Sequence, residues 1–212
     1  MALVVAASLG TQVVLLLAGG ADAHTGDDQA AVAVGTRLVR LLGYFTIQSN
    51  LLVLVTSVTL ALDPQRDGGT WRVLRLDALL GITITGLVYW TLLAPVVDLR
   101  GVALAAGLGL HLVSPVGTLV VWWLSGPRPR IAWPTVRWAF LWPLVWVAYT
   151  YAHGAVSGWY PYPFIDVAAL GYPRTLVAVA VVLVVGVLVV LVLRWLDGRL
   201  RPSDGPSDWG SG

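Results

Sequence analysis

The sequence predicts an all-α polytopic membrane protein, a bundle of about six transmembrane helices with both termini in the cytoplasm. Composition, the spacing of apolar runs and the placement of arginines carry this reading. Of 212 residues, 58% are hydrophobic and 11% are charged, and mean hydropathy is +0.81. A soluble domain carries about 25% charged residues and uses them to cover its surface. This chain lacks the charge for a surface of that kind, so its solvent is mostly lipid.

The chain contains six apolar runs, each near the roughly 20 residues that cross about 30 Å of hydrocarbon. They cover 2–20, 39–62, 73–94, 102–124, 136–153 and 175–195. Asp63-Pro64 ends the second, Pro95 the third and Ser125-Gly126-Pro127 the fourth. The first run ends in Ala21-Asp22-Ala23, which resembles a signal-peptide cleavage site. No basic stretch precedes it and five more spans come after it, so a retained first helix is expected. Residues 1–198 form one transmembrane domain on this reading. The stretch 199–212, rich in Pro, Gly, Ser and Asp, reads as a disordered cytoplasmic tail.

Orientation is set by arginine counts, because cytoplasmic loops collect basic residues. Arg66, Arg72, Arg75, Arg128, Arg130, Arg137, Arg194, Arg199 and Arg201 fall on one side, and Arg37, Arg40, Arg100 and Arg174 on the other. The richer side is assigned to the cytoplasm. Asp22, Asp27, Asp28, Asp98 and Asp166 fall on the outer side.

Absences narrow the chemistry. The chain has no Cys, no Lys and no Glu; its 13 basic residues are all Arg and its 11 acids all Asp. Disulfides, thiolate metal sites, a retinal Schiff base and carboxylate-rich di-iron bundles are excluded. Arg in place of Lys throughout suggests a GC-rich, bacterial genome. The pI near 9.2 comes from arginines at span ends, so no nucleic-acid partner is expected. The expected partners are the lipid bilayer of the cell membrane and a hydrophobic small molecule. No metal or cofactor is expected.

Polar residues deep in a span are costly and face the bundle interior. In the second run, Thr46, Ser49, Asn50, Val53 and Ser57 share one helical face, with Gln48 on the other side. In the fourth, Gly107, His111, Ser114, Pro115 and Thr118 share a face, and His111 reads as the only ionisable residue near the middle of any span. Counted inward from the outer rim, Thr46 and His111 lie at one depth, about 14–17 Å down at about 1.5 Å per residue. Pro115 cannot donate to the carbonyl four residues earlier, which is that of His111. Gly107 and Gly109 allow close approach of another helix or a ligand. Ser and Thr also bond their own preceding turn, so such a stripe arises without function as well.

Between the last two runs, Gly158-Trp159-Tyr160-Pro161-Tyr162-Pro163-Phe164-Ile165-Asp166 makes a stiff aromatic segment on the outer side. It suits an interfacial belt, or a lid over an outward-opening cavity in which Trp159, Tyr162 and Asp166 bind ligand.

Three motifs in order carry a resemblance: Phe45-Thr46, Leu110-His111 with Pro115 one turn later, and Gly158-Trp159 through Tyr162-Pro163-Phe164. Together they resemble the androgen-induced, androgen-dependent multi-pass membrane hydrolase family, in its branch of bacterial integral membrane proteins. The resemblance implies a threonine hydrolase of fatty-acid esters of hydroxy fatty acids, with Thr46 as nucleophile and His111 as the essential histidine. Ile47-Gln48-Ser49-Asn50 lacks the acid that some animal members carry nearby, and the stretch around His153 is offset. If the chain is a hydrolase, Ser49, Asn50 and Ser114 are candidate donors to developing oxyanion charge. The competing reading is a non-catalytic membrane module or small-solute carrier using the same polar stripe. A haem held by His111 and His153 is disfavoured, because His153 sits at the outer rim, well above His111.

Overall fold

The computed structural model describes residues 1–19, 31–128 and 130–200. The Ala21-Asp22-Ala23 motif, Asp27, Asp28, Arg201 and the tail from residue 201 lie outside the described residues. Among the described residues, nine α-helices run in order: α1 Ala2–Leu17, α2 Val34–Gly43, α3 Phe45–Leu62, α4 Gly69–Val88, α5 Gly101–Leu108, α6 Ser114–Ser125, α7 Trp133–Ala139, α8 Leu141–Ser157 and α9 Val167–Arg199. π-Helical turns at Tyr89–Leu93 and Gly109–Val113 prolong α4 and join α5 to α6, and a 3₁₀ turn spans Pro163–Ile165. No strand occurs among the described residues.

Four helical stretches are long and apolar enough to cross a membrane: Phe45–Leu62, Gly69–Leu93, Gly101–Ser125 and Val167–Arg199. The apolar α1, with 16 residues, is shorter, as is the 17-residue α8. Their exteriors are apolar: Leu62 is 82% exposed and Val184 60% exposed. Contiguous apolar surface of this kind is stable against lipid and unstable against water. These helices indicate a membrane protein.

The second apolar run is not one continuous helix. Tyr44 takes an extended conformation, φ −69° and ψ 127°, and divides it into α2 and α3. Such a break strands carbonyls that side chains must satisfy. The Gln48 amide donates to the Leu42 carbonyl at 2.9 Å, and Trp146 Nε1 to that of Gly43 at 2.9 Å. Gln48 Oε1 accepts from Trp142 Nε1 at 2.9 Å, so this off-stripe residue ties the break to α8. Thr46 therefore stands in the first turn of α3, not nine residues into a longer helix.

The fifth run is interrupted between α7 and α8 at Phe140. Pro143 cannot donate to the carbonyl of Ala139, so the ladder is broken there. The sixth run extends further in both directions, over Val167–Arg199, with a kink at Gly171, φ 75° and ψ 159°. Only glycine adopts that conformation cheaply, and Pro173 lies two residues later.

Close packing sets the helices around α4, which is buried over most of its length. A Cβ on Gly86 would lie 3.0 Å from Pro115, so α4 and α6 touch backbone to ring. A Cβ on Gly109 would overlap Ser8 Oγ of α1 at 2.0 Å. The loop before α4, the loop before α7 and the end of α9 converge at one end. Asp67 pairs with Arg72 and Arg130, each at 2.7 Å. Asp197 Oδ2 accepts from the backbone amides of Arg130 at 2.6 Å and Ile131 at 2.8 Å.

One interior acid escapes the sequence reading, which treats His111 as the only ionisable group near the middle of a span. Asp77, about two turns into α4, is 4% exposed. Four apolar residues surround it in sequence order, Leu76 and Ala78 to Leu80, inside the third apolar run.

Candidate functional site

The break before α3 creates the site. It exposes the first-turn amide of Thr46, one of the donors without an intrahelical partner, and aims it at the outer segment. Thr46 N–H donates to the Tyr162 hydroxyl at 3.2 Å. The Thr46 hydroxyl also lies 3.2 Å from the Tyr162 hydroxyl and 3.4 Å from His111 Nε2. Thr46 is 3% exposed, His111 1% and Tyr162 6%. The two spans thus bring the threonine and the imidazole to one level and into hydrogen-bond reach.

The other ring nitrogen fixes the tautomer. His111 Nδ1 is 2.9 Å from the Gly107 carbonyl. A carbonyl only accepts, so Nδ1 carries a proton, and in a neutral ring Nε2 then presents a lone pair. With Nε2 as acceptor, the Thr46 hydroxyl donates to it. The Tyr162 hydroxyl accepts from the Thr46 amide and lies within hydrogen-bond distance of Thr46 Oγ1, a pair in which either oxygen can donate. Contacts at hydrogen-bond distance thus run from Tyr162 to Thr46 to His111 to the Gly107 carbonyl.

Two π turns hold the imidazole in place. Each inserts one residue into its helix and rotates the residues beyond it. The turn after α4 presents two consecutive aromatics to the same histidine. The Tyr89 ring stacks on that of His111, centroids 4.0 Å apart and planes 19° apart. Trp90 Nε1 donates to the His111 carbonyl at 3.1 Å, the group that Pro115 cannot reach. The Asn50 amide donates to the carbonyls of Thr46 at 2.9 Å and Leu110 at 3.3 Å. It thereby clamps α3 to the second π turn.

The remaining residues singled out from the sequence take distinct places. The Ser49 hydroxyl donates to the Phe45 carbonyl at 2.8 Å and faces Gly81. Ser114 is fully buried, and neither its hydroxyl nor Asn50 Oδ1 has a hydrogen-bond partner among the described residues. Trp159 stacks edgewise on Tyr44 at 5.6 Å and beneath the Arg40 guanidinium at 5.4 Å. Asp166 caps α9, accepting from the amides of Ala168 at 2.9 Å and Ala169 at 3.2 Å. His153 packs on Tyr149 and Trp159.

Thr46 and Tyr162 also line a narrow cavity of about 80 Å³ whose other walls are almost wholly apolar, among them Phe45, Val88, Trp146 and Leu183. Thr85 adds a third hydroxyl, itself without a partner among the described residues. Sequence reasoning missed Tyr89, Trp90 and the Gly107 carbonyl. Aromatics at a span end read as an interfacial belt, and nothing in a 3.6-residue periodicity announces a π turn.

No family model matches this chain, and no curated protein or solved structure is significantly similar to it.

Proposed function

We propose that this protein is an intramembrane threonine hydrolase of lipid esters, in line with the family that its three motifs resemble. The observation that supports this most is the run of hydrogen-bond-distance contacts from Tyr162 through Thr46 to His111, with Thr46 and Tyr162 at the wall of an apolar cavity. A threonine hydroxyl is a weak nucleophile until a base takes its proton. His111, neutral and protonated on Nδ1, offers that base at Nε2. The 3.4 Å separation is loose, as is common before substrate is bound.

In the proposed reaction Thr46 Oγ1 attacks the ester carbonyl carbon, and its proton passes to His111 Nε2. The Gly107 carbonyl holds the resulting imidazolium through Nδ1–H. The tetrahedral intermediate collapses as the leaving alkoxide takes the proton from Nε2, releasing an alcohol and leaving an acyl-threonine. Water then attacks the acyl carbon and gives its proton to Nε2; collapse returns that proton to Thr46 and frees the fatty acid. The Tyr162 hydroxyl, 3.2 Å from Thr46 Oγ1, is the donor best placed for the oxyanion. Ser114 offers a second hydroxyl beside His111. The apolar cavity, about 80 Å³ in volume, takes the first few methylenes of the acyl chain.

In this reading the chain sits in the cell membrane with six spans. α1 and the broken pair α7–α8 cross together with the four longer helices, and the arginine-rich end faces the cytoplasm. Thr46 then opens toward the outer leaflet, where a lipid ester already resides.

The test is hydrolysis of a hydrophobic ester by purified protein. Thr46→Ala and His111→Ala should each abolish turnover, and the double variant should be hardly worse than either, because a dyad acts as a unit. Thr46→Ser should keep part of the rate and should label with a fluorophosphonate probe. Full hydrolysis by monodisperse Thr46→Ala protein would leave the small-solute carrier as the reading to pursue.

A further inference from the structure

At the end of the bundle far from Thr46, the loop before α7 and the last turns of α9 enclose a second concavity, about 640 Å³ in volume. Its walls carry the guanidiniums of Arg72, Arg130, Arg194 and Arg199, together with the rings of Trp133 and Trp195. The acids here are already engaged. Asp67 pairs with Arg72 and Arg130, and Asp197 holds two backbone amides of the loop. Four guanidiniums against these two carboxylates leave two positive charges in excess.

The excess sits on α9. Arg194 lies over the Trp133 ring at 4.6 Å and donates to the Ile131 carbonyl. Arg199 lies over the Trp195 ring at 5.5 Å. Both cations are thus held at the rim by aromatic faces, with no acid paired to either among the described residues. An interfacial tryptophan also fixes depth, since its amphipathic ring sits at headgroup level.

One side of this cavity is apolar and continues along the helix. Val184, Leu188, Leu191 and Trp195 fall on one stripe of α9 by their spacing of three and four residues, and each is more than 40% exposed. The stripe leads from the middle of the apolar helix to the basic rim.

We propose that this cavity binds the headgroup of an anionic phospholipid. The phosphodiester lies between Arg194 and Arg199, and an acyl chain runs along the Val184–Leu188–Leu191 stripe. A free phosphate satisfies the guanidiniums equally well but leaves the stripe unused. The combination of basic floor and apolar lane is what favours a lipid over a soluble anion. The site is independent of the Thr46 chemistry and lies at the opposite bundle end.

The test uses detergent-purified full-length protein titrated with dioctanoyl phosphatidylglycerol, read by tryptophan fluorescence and native mass spectrometry. Dioctanoyl phosphatidylcholine and inorganic phosphate are the comparison arms. A basic residue near an anionic lipid surface is worth about 1 kcal/mol. Arg199→Gln should therefore weaken phosphatidylglycerol binding about fivefold, and Arg194→Gln with Arg199→Gln about thirtyfold. Arg137→Gln, exposed on α7 outside the cavity, should leave it unchanged. Should the double variant fail to fold, the single Arg199→Gln decides, since Arg199 is exposed and its loss disturbs little packing. Equal affinity for phosphatidylcholine, or unaltered binding by Arg199→Gln, overturns the proposal. Displacement of phosphatidylglycerol by an equal concentration of inorganic phosphate overturns the lipid as occupant.

Discussion

Replacing Tyr162 by Phe removes one oxygen from the centre of the site and leaves the ring packing against Tyr44, Trp146 and Phe164 intact. Two interactions among the described residues disappear with it. The Thr46 amide, in the first turn of α3, loses its 3.2 Å acceptor in a residue that is 3% exposed. A buried donor left unsatisfied costs about 1–3 kcal/mol. The Thr46 hydroxyl loses a second contact at 3.2 Å but keeps His111, which limits that loss to about 0.5–1.5 kcal/mol. Together they amount to roughly 2–4 kcal/mol of stability, a large share of what a native fold holds in reserve. On the proposed mechanism the variant also lacks an oxyanion donor, an effect of about 10²–10³ in rate at comparable sites. The assay pairs thermal melting in detergent with ester hydrolysis at a temperature where both proteins are folded. Melting indistinguishable from the parent protein would show that the Thr46 amide finds another acceptor, and would refute the dependence of the helix break on Tyr162. Lowered stability with an undiminished rate per folded molecule would remove Tyr162 from the chemistry and keep it as a structural clamp.

Other consequences are open to direct measurement. Gly81→Ala places a methyl 2.8 Å from both Ser49 Oγ and the Trp142 ring, so it should destabilise by about 1–3 kcal/mol of overpacking. Gly10→Ala, inside α1 with nothing within 4 Å, should melt no lower than the parent protein, since alanine favours the helix over glycine; equal melting of the two variants would refute tight packing at Gly81. Trp90→Phe removes the donor to the His111 carbonyl and should cost about 0.5–1.5 kcal/mol, seen as a lower melting temperature with the Tyr89 stack retained. The Arg72 guanidinium holds the Asp67 carboxyl well below the usual carboxylate range, with the Gly68 amide and Arg130 assisting. A depressed value means that the stabilisation is complete above the ordinary unfolded value of about 3.9 and fades only as pH falls through the lowered one. The melting difference between the parent protein and Asp67→Asn should therefore persist from pH 7 down to about pH 4; a difference that closes near pH 6 would contradict it.

Much of the architecture is legible in the sequence, because lipid imposes a simple rule. Backbone groups in hydrocarbon must be satisfied within the segment, so long apolar runs are helices. Runs three, four and six appear as long apolar helices for that reason. The rule weakens where side chains can serve the backbone. Tyr44 splits the second run because Gln48 and Trp146 take the freed carbonyls, and those partners lie far apart in sequence or off the stripe. The same holds at Asp77, whose burial depends on which helices surround α4.

The site divides in the same way. Although the depth count for Thr46 assumes one continuous helix that Tyr44 in fact breaks, periodicity puts Thr46 and His111 on interior faces, and the valence of Pro115 requires an orphaned His111 carbonyl. These are local consequences of covalent structure and helix geometry. Which group takes that carbonyl, which nitrogen of His111 carries the proton, and which hydroxyl meets Thr46 are decided elsewhere. The Trp90 and Tyr162 contacts join residues 21 and 116 positions apart. Trp90 reaches the carbonyl and Tyr89 the ring only because a π turn, which leaves no mark on the hydrophobic pattern, rotates both toward α5 and α6. Tyr162 reaches Thr46 only because the outer segment folds back over the break before α3. Sequence determined which polar groups lipid would force inward. Tertiary structure decided their partners, since a hydrogen bond is set by a few tenths of an ångström and a direction, and neither is encoded by spacing along one chain.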